Sequence, residues 1–496
     1  MNLWRITPEA FVARMTTLWT ILSILINYVL VVVATIHILR HPREPRAMWA
    51  WILWIAIVPV IGLITFVAIG TPRIERTRRR RHRRRQQLVI SLSRRASNIA
   101  ALSAAQLLDK LDANTRHLMR LATRVSSYPP THSNRVRIFH DEKDSFAEIQ
   151  RLIRSARSHV HMEYYIFRPD EAGMEICEAL KAKAREGVEV RLLLDYLGSW
   201  SARRSSFTAP LREAGVQVAF FLPVVPWQGP WRINLRNHRK ILIIDGEIGF
   251  TGSHNIANEY LGRHPTLGLW QDTNLTIEGP AVQQLQEVFI EDWLDSTGEE
   301  LTNDRYFPPV GPVGEHIAQV IPSGPDTGVN AILDVMFSAI TAAQHSIRVM
   351  TPYFVPDAAV LQALQSAALS GVHVELLVPS RNDQRLVLWA GRSYYAELVK
   401  AGVEIYEYDA GMLHNKVMIV DDFWSMVGSA NMDHRSFRLN FELSVVLYDT
   451  GLARELLNDY HSLKKESRRI GADGHLNWTF GESLVLGGAR LLSPLL

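Results

Sequence analysis

NHRKILIIDG at residues 237–246 is answered further along the chain by LHNKVMIVDD at 413–422. Each segment opens the same pattern of six residues at the same spacings: His238, Lys240, Asp245, Gly252, Ser253 and Asn255, then His414, Lys416, Asp421, Gly428, Ser429 and Asn431. One chance match to six fixed positions in a chain this long is on the order of one in 100,000, so two matches mark a duplication. The flanking sequence agrees: HVHMEYYIFRPD (159–170) pairs with SIRVMTPYFVPD (346–357), GVEVRLLLD (187–195) with GVHVELLVP (371–379), and REAGVQVAFF (212–221) with VKAGVEIYEY (399–408). Between these β-branched runs lie helical stretches such as EICEALKAKAREG (175–187) and AVLQALQSAALSG (359–371). Such alternation predicts an α/β fold of sheets layered with helices. The expectation is two tandem sheet-and-helix domains related by a pseudo-twofold axis, each supplying half of one site.

The motif itself carries chemistry. His and Lys at i and i+2 on a strand face the same way, so an imidazole and an ammonium meet one substrate. The pair suits a phosphoryl centre, with Lys240 and Lys416 neutralising non-bridging oxygens. The Gly-Ser turns offer Ser253, Asn255, Ser429 and Asn431 as donors to the phosphate. Asp245 and Asp421 complete the motif and enter the catalytic candidates with it. Their place at a turn, on the opposite side of an alternating strand from the lysine, favours bracing instead. A histidine that attacks phosphorus needs its other ring nitrogen oriented, usually by a carboxylate. Asp272 in WQDTNLTIEG and Glu442 in LNFELSVVL are the candidates, each on the run that follows one motif. No His-x-x-x-His helix or Asp-rich loop suggests a zinc or magnesium site, and no cofactor is expected. Cys177 is the only cysteine, which excludes an intrachain disulfide and reads as a small buried hydrophobe.

Outward from the repeats, the N-terminal region is of another kind. Residues 18–39 and 48–70 are apolar runs free of Asp, Glu, Lys and Arg, long enough to span a bilayer core of about 30 Å. They predict a retained two-span anchor over 1–72, with Trp19, Trp49 and Trp51 at its interfaces. A basic juxtamembrane segment and helical connector is expected over 73–127, and the two repeat domains over 128–315 and 316–496. Residues 73–85 hold nine arginines and one glutamate, a local charge of +8 against +4 for the whole chain, so the remainder is net acidic. A nucleic-acid enzyme would spread basic residues around its cleft; here they stand beside a membrane, placed to hold anionic lipid. Charge asymmetry around the two runs puts both termini and the catalytic domains in the cytoplasm.

On these residues the chain resembles the phospholipase D superfamily, and within it the bacterial cardiolipin synthases. The resemblance rests on both HxKxxxxDxxxxxxGSxN motifs, the Trp-rich WAWILWIAIVPVIG, EYYIF, TPYFVPD, GSANMDHRSFRLNFE and the closing ARLLSPLL. One departure is HNIANEY (254–260), where the synthases usually carry Asp in place of Asn258; this weakens any catalytic role for that position. The resemblance implies a metal-free, ping-pong transfer at a bacterial inner membrane with phosphatidylglycerol as substrate. His238 would be the nucleophile, and His414 the acid and then the base. A hydrolytic phospholipase D and an anchored nuclease use the same residues, and a non-catalytic membrane scaffold is a further alternative. The net acidic body disfavours the nuclease and two complete motifs disfavour the scaffold, while oligomeric state is not readable.

Overall fold

The computed structural model describes residues 8–41, 45–67, 111–224, 234–263, 268–471 and 478–495. The arginine run and the first part of the connector lie outside these residues. The chain divides into two compact units, the N-terminal segment and the body carrying both repeats.

In the N-terminal unit Pro8–Arg40 is one helix. Its residues 14–40 form the single helix among the described residues long and apolar enough to cross a membrane. The second apolar run departs from expectation. It forms Pro45–Ile57 and Pro59–Thr65, broken at Val58. Pro59 has no N–H and its ring crowds the preceding turn, so the helix ends and restarts with proline in its first turn. The second piece folds back on the first: Trp54 Nε1 donates to Thr65 Oγ1 at 2.9 Å, and the Trp51 and Phe66 rings are 5.4 Å apart. In an unbroken helix Trp54 and Thr65 would lie about 16 Å apart along the axis. Gly62 permits the turn, since a Cβ there would sit 2.8 Å from Ile55 Cα. Phe66 returns beside His37, near the end of the spanning helix, with ring centroids 6.1 Å apart. Among the described residues this unit therefore has one uninterrupted helix long enough to cross a membrane, followed by a broken helical pair folded back on itself, where two spans were expected.

In the body, the first repeat orders its strands from the edge inward as Gln217–Phe221, Glu189–Asp195, His159–Tyr164, Ile241–Ile244, Ile248–Gly252, Asn274–Glu278 and Thr131–Phe139. The second repeats that order as Glu404–Tyr408, His373–Pro379, Ser346–Met350, Val417–Val420, Trp424–Gly428, Asn440–Tyr448 and His316–Ser323, with Ser467–Ile470 added at its edge. The two meet where Thr131–Phe139 runs antiparallel to His316–Ser323, pairing Thr131 with Ala318 and Asn134 with His316 across a bulge. One sheet thus runs through both copies.

Both faces of the sheet are covered, which explains why Ile241–Ile244 and Val417–Val420 are apolar at every position. On one face Ile241, Ile243, Val417 and Ile419 share a core with the helices Ala281–Thr297 and Thr450–Lys465, joining the two copies. On the other, Leu242 and Ile244 pack under Glu142–Ser155 and Glu171–Arg185, and Met418 and Val420 under Ala331–Ala342 and Ala358–Leu369. The described end of the expected connector is the helix Ala113–Ser126. Its Leu118, Met119 and Ala122 enter the second copy's core, and Gln319 Nε2 donates to Thr123 Oγ1 at 3.1 Å. That stretch is part of the folded body. Cys177 is buried in the first copy's core.

Candidate active site

Each motif histidine is positioned by the other repeat. Arg236–Asn237 pairs in parallel with Asn440–Phe441, and the His238 N–H donates to the Phe441 carbonyl at 2.8 Å. Met412–Leu413 pairs in parallel with Trp270–Gln271, and the His414 N–H donates to the Gln271 carbonyl at 2.7 Å. Continuing each register by one residue sets His238 beside Glu442 and His414 beside Asp272. His238 Nδ1 lies 2.9 Å from Glu442 Oε2 and 3.0 Å from the Ser429 carbonyl; His414 Nδ1 lies 2.6 Å from Asp272 Oδ1. An Nδ1 facing acceptors carries the proton, so the lone pair of each neutral ring sits on Nε2. The two halves are therefore reciprocal: each carboxylate orients the histidine of the other copy.

The lysines are fixed the same way in both copies. Lys240 Nζ donates to the His238 carbonyl at 2.7 Å and Lys416 Nζ to the His414 carbonyl at 2.6 Å. All four groups are buried. Burial pushes His238 down to about 4, against the pull of Glu442 and aided by Lys240 and Lys416. Burial likewise takes His414 to about 3, with Asp272 opposing and Lys416 and Lys240 adding to the fall. Lys240 is lowered to about 7 by burial, with Glu442 opposing and Lys416 adding, and Lys416 to about 8 by burial against Asp272 and Glu442. Burial alone would raise the Asp272 and Glu442 carboxyls, but His414 and Lys416 on the one, and His238 and Lys240 on the other, hold both below the usual range. Two neutral imidazoles and two ammoniums whose charge is costly to bury make a site ready for an anion.

The remaining motif residues divide. Gly252 and Gly428 let the strands cross closely: a Cβ would come 2.5 Å from the Thr273 carbonyl oxygen in the first copy and 2.4 Å from that of Leu443 in the second. Asp245 accepts from the N–H groups of Arg157, Ser158 and His159 at 2.9, 2.7 and 2.8 Å. Asp421 does the same for Gln344, His345 and Ser346 at 2.8, 2.7 and 2.9 Å. Both stand in the left-handed region, at φ 56° and 51°. Their carboxylates brace a neighbouring strand and are spent on backbone, so the geometry removes them from the catalytic candidates.

Ser429 Oγ donates to Glu442 Oε2 at 2.5 Å, whereas Ser253 Oγ donates to the Thr273 carbonyl at 3.2 Å. The Asn255 amide is used at both ends, accepting from Ile166 N–H at 3.2 Å and donating to the Tyr260 hydroxyl at 2.6 Å. Asn431 Oδ1 is buried without a partner among the described residues. Asn258 Oδ1 accepts from Ala172 N–H at 3.1 Å, at the start of the Glu171–Arg185 helix and away from the histidines.

Several neighbours escaped the motif reading. The Tyr165 ring meets His238 edge-on at 4.8 Å, and Trp270 and Tyr260 flank His414 at 5.0 and 5.7 Å. His254 stands where the second copy has Ala430. It is fully buried, and neither its ring nitrogens nor Asp272 Oδ2 has a hydrogen-bond partner among the described residues. Glu142 Oε1 accepts the Asp272 N–H at 2.7 Å, and burial together with the Asp272 charge pushes its carboxyl up to about 9. The pairing of GSHN with GSAN was the available sequence signal for His254; nothing local marked Glu142. Among the described residues, His373, Glu375 and Glu404 bring donor atoms together, but Glu375 is already paired with Arg348 at 3.1 Å and with Lys464.

Comparison with known proteins identifies a family and a fold. The family described as "Cardiolipin synthase, PLD-like domain" matches residues 149–293 and 336–464, and "Phospholipase_D-nuclease N-terminal" matches 29–70. A cardiolipin synthase of Halalkalibacterium halodurans is 43% identical over 392 residues, 78% of each chain. The major cardiolipin synthase ClsA of Bacillus subtilis is 40% identical over 368 residues, 74% of this chain and 76% of its own. Among solved structures, the phosphatidylserine synthase of Haemophilus influenzae matches with a TM-score of 0.57 at 16% identity, covering 76% of this chain and 100% of that one; this likeness speaks for the fold.

Proposed function

The chain belongs to the PLD-like cardiolipin synthase family, and we propose that its single shared site moves a phosphatidyl group between two phosphatidylglycerol molecules, giving cardiolipin and glycerol. It is a phosphatidyltransferase acting on phospholipids in a membrane. The observation that carries the shared site is the reciprocal pairing of His238 with Glu442 and of His414 with Asp272.

In this reading the phosphodiester enters between Lys240 and Lys416, and its negative charge works against the burial and ammonium repulsion that depress both imidazoles, so that His414 takes up a proton from solvent on Nε2. His238 Nε2 attacks phosphorus, and the bond to the glycerol oxygen breaks as His414 gives that oxygen a proton. His414, now neutral, takes the proton of the second lipid's hydroxyl, whose oxygen displaces His238; product release and return of that proton to solvent restore the free enzyme. Glu442 and Asp272 act through the histidines they orient. With one crossing, Arg40, Arg43, Arg46 and the arginine run all flank the side on which the body emerges. The positive-inside rule supports a body on the cytoplasmic face of a bacterial inner membrane.

The test is incubation of the purified chain with phosphatidylglycerol labelled in its terminal glycerol and, separately, in its acyl chains, without added metal. Transfer yields glycerol and cardiolipin in equal amounts. Phosphatidic acid as the main product would replace transfer with hydrolysis.

A further inference from the structure

The helix Phe480–Leu491 is fastened to the body along a narrow strip. Leu486 and Ala489 are its buried residues. Arg490 donates to the Ser393 carbonyl at 3.2 Å and pairs with Glu397 at 2.6 Å. Beyond the helix, Ser493 meets the Tyr394 hydroxyl at 3.1 Å. Its first turn is closed by Thr479 and Glu482, each bonding the other's backbone N–H. The helix is therefore held in one rotation, and that rotation turns its apolar face outward.

At 100° per residue, Phe480, Leu484, Val485 and Leu491 fall on one broad arc filled in by glycines, with Glu482, Ser483 and Arg490 elsewhere on the circumference. Phe480, Leu484 and Leu491 are 81%, 61% and 82% exposed. The helix Arg385–Arg392 packs beside it and adds exposed Leu386 and Trp389, with exposed Arg381 and Arg385 at its start. A soluble helix buries its wide apolar arc and shows its polar one; this helix does the reverse, and a contiguous apolar patch marks an interaction site.

The patch lies on the His414 side of the site: Tyr353 packs with Tyr260 and Trp270, the rings that flank His414. Asp383, in the turn that leads into Arg385–Arg392, accepts the Tyr353 hydroxyl at 2.8 Å, and its charge acts on Lys416. We propose that this face lies in the bilayer interface beside the site, Arg381 and Arg385 meeting anionic headgroups, so that a phospholipid presents its phosphodiester to the histidines while its acyl chains stay among lipid. An apolar face with cationic residues at its edge is the composition that seats a helix in a membrane surface, and residues 14–40 form a helix long and apolar enough to cross a membrane. This rests on the proposed lipid substrate.

The experiment uses the full chain in proteoliposomes of phosphatidylglycerol and phosphatidylcholine. In a Cys177→Ala background, a polarity-sensitive dye is attached through Leu484→Cys, and nitroxide lipids are added as quenchers. The expected result is blue-shifted emission quenched by nitroxides near the headgroups. Leu484→Glu with Leu491→Glu should raise KM for vesicle phosphatidylglycerol at least fivefold and leave kcat on a water-soluble short-chain analogue within twofold. An unquenched dye with the emission of water overturns the proposal. So does a blue-shifted dye that lipid nitroxides do not quench and that protein dilution exposes, because a second copy then covers the face. Dye depth is read without turnover, so absence of transfer on either substrate would strike the proposed function and leave the docking result to stand separately.

Discussion

Glu442→Gln tests the reciprocal orientation at its most constrained point. Glu442 is fully buried and meets three donors: His238 Nδ1 at 2.9 Å and Ser429 Oγ at 2.5 Å on Oε2, and Asn440 Nδ2 at 3.1 Å on Oε1. Glutamine keeps the volume but has one acceptor oxygen. If that oxygen faces His238, the new NH2 confronts the Asn440 NH2. If the NH2 faces His238, the ring must accept at Nδ1 and carry its proton on Nε2, where the attacking lone pair belongs. Losing one charge-assisted bond removes about 1.5 to 3 kcal/mol, or roughly 10- to 150-fold in rate at about 1.4 kcal/mol per decade. The tautomer flip adds to this, and a comparable carboxylate-to-amide change elsewhere reaches about 10,000-fold. Glu442 raises the His238 pKa from below, so its loss drives that pKa further under 4 and leaves the imidazole neutral at pH 7. The defect is therefore one of orientation, not of protonation. Single-turnover glycerol release at pH 7 should fall at least tenfold with the melting transition still cooperative. A folded variant within threefold of the parent would refute the reasoning.

Further outcomes follow from the same geometry. Lys240→Ala and Lys416→Ala should each lower kcat/KM by about 2 to 4 kcal/mol, the loss of one transition-state donor; steady-state assays showing about half the activity after either change would indicate two independent sites. The lysines are charged below their lowered values of about 7 and 8, so kcat/KM should fall as pH rises through that window, and Lys240→Arg, which removes the group that loses its proton first, should move this alkaline limb upward. Asp421→Asn leaves backbone N–H groups of the neighbouring strand with a poorer acceptor, costing about 1 to 3 kcal/mol of stability by denaturant unfolding, while kcat of the folded fraction stays within threefold.

The catalytic half-sites were legible because the chain states them twice. Identical spacing from His to Asn in both copies marked the strand and the Gly-Ser turn, and Asp272 and Glu442 could be picked out as carboxylates on the runs that follow. The alternation of runs announced sheets layered with helices, but not the order of the strands. Two other things were not readable. The pairing of Thr131–Phe139 with His316–Ser323 joins strands far apart in sequence, and its register is set by the cores on both faces rather than by any local pattern. The break in the second apolar run was hidden because apolar length reports compatibility with lipid, not direction; Pro59 and Gly62 carried the signal, but both are tolerated in straight spans. Asp245 and Asp421 show the opposite case: invariant spacing drew them into the motif for chemistry, while their alternation on the strand already pointed away from it.

The central claim, one site whose first-copy histidine carries the lipid, is tested most directly by trapping the intermediate. Phosphatidylglycerol labelled in the phosphatidyl moiety is mixed with the parent, His238→Ala and His414→Ala chains, acid-quenched, and the adduct mapped under alkaline conditions that preserve phosphohistidine. The account predicts label on His238, none in His238→Ala, and slow accumulation without turnover in His414→Ala when the donor carries a good leaving group. Label on His414 in the His238→Ala chain, or half-activity in either variant, would contradict it.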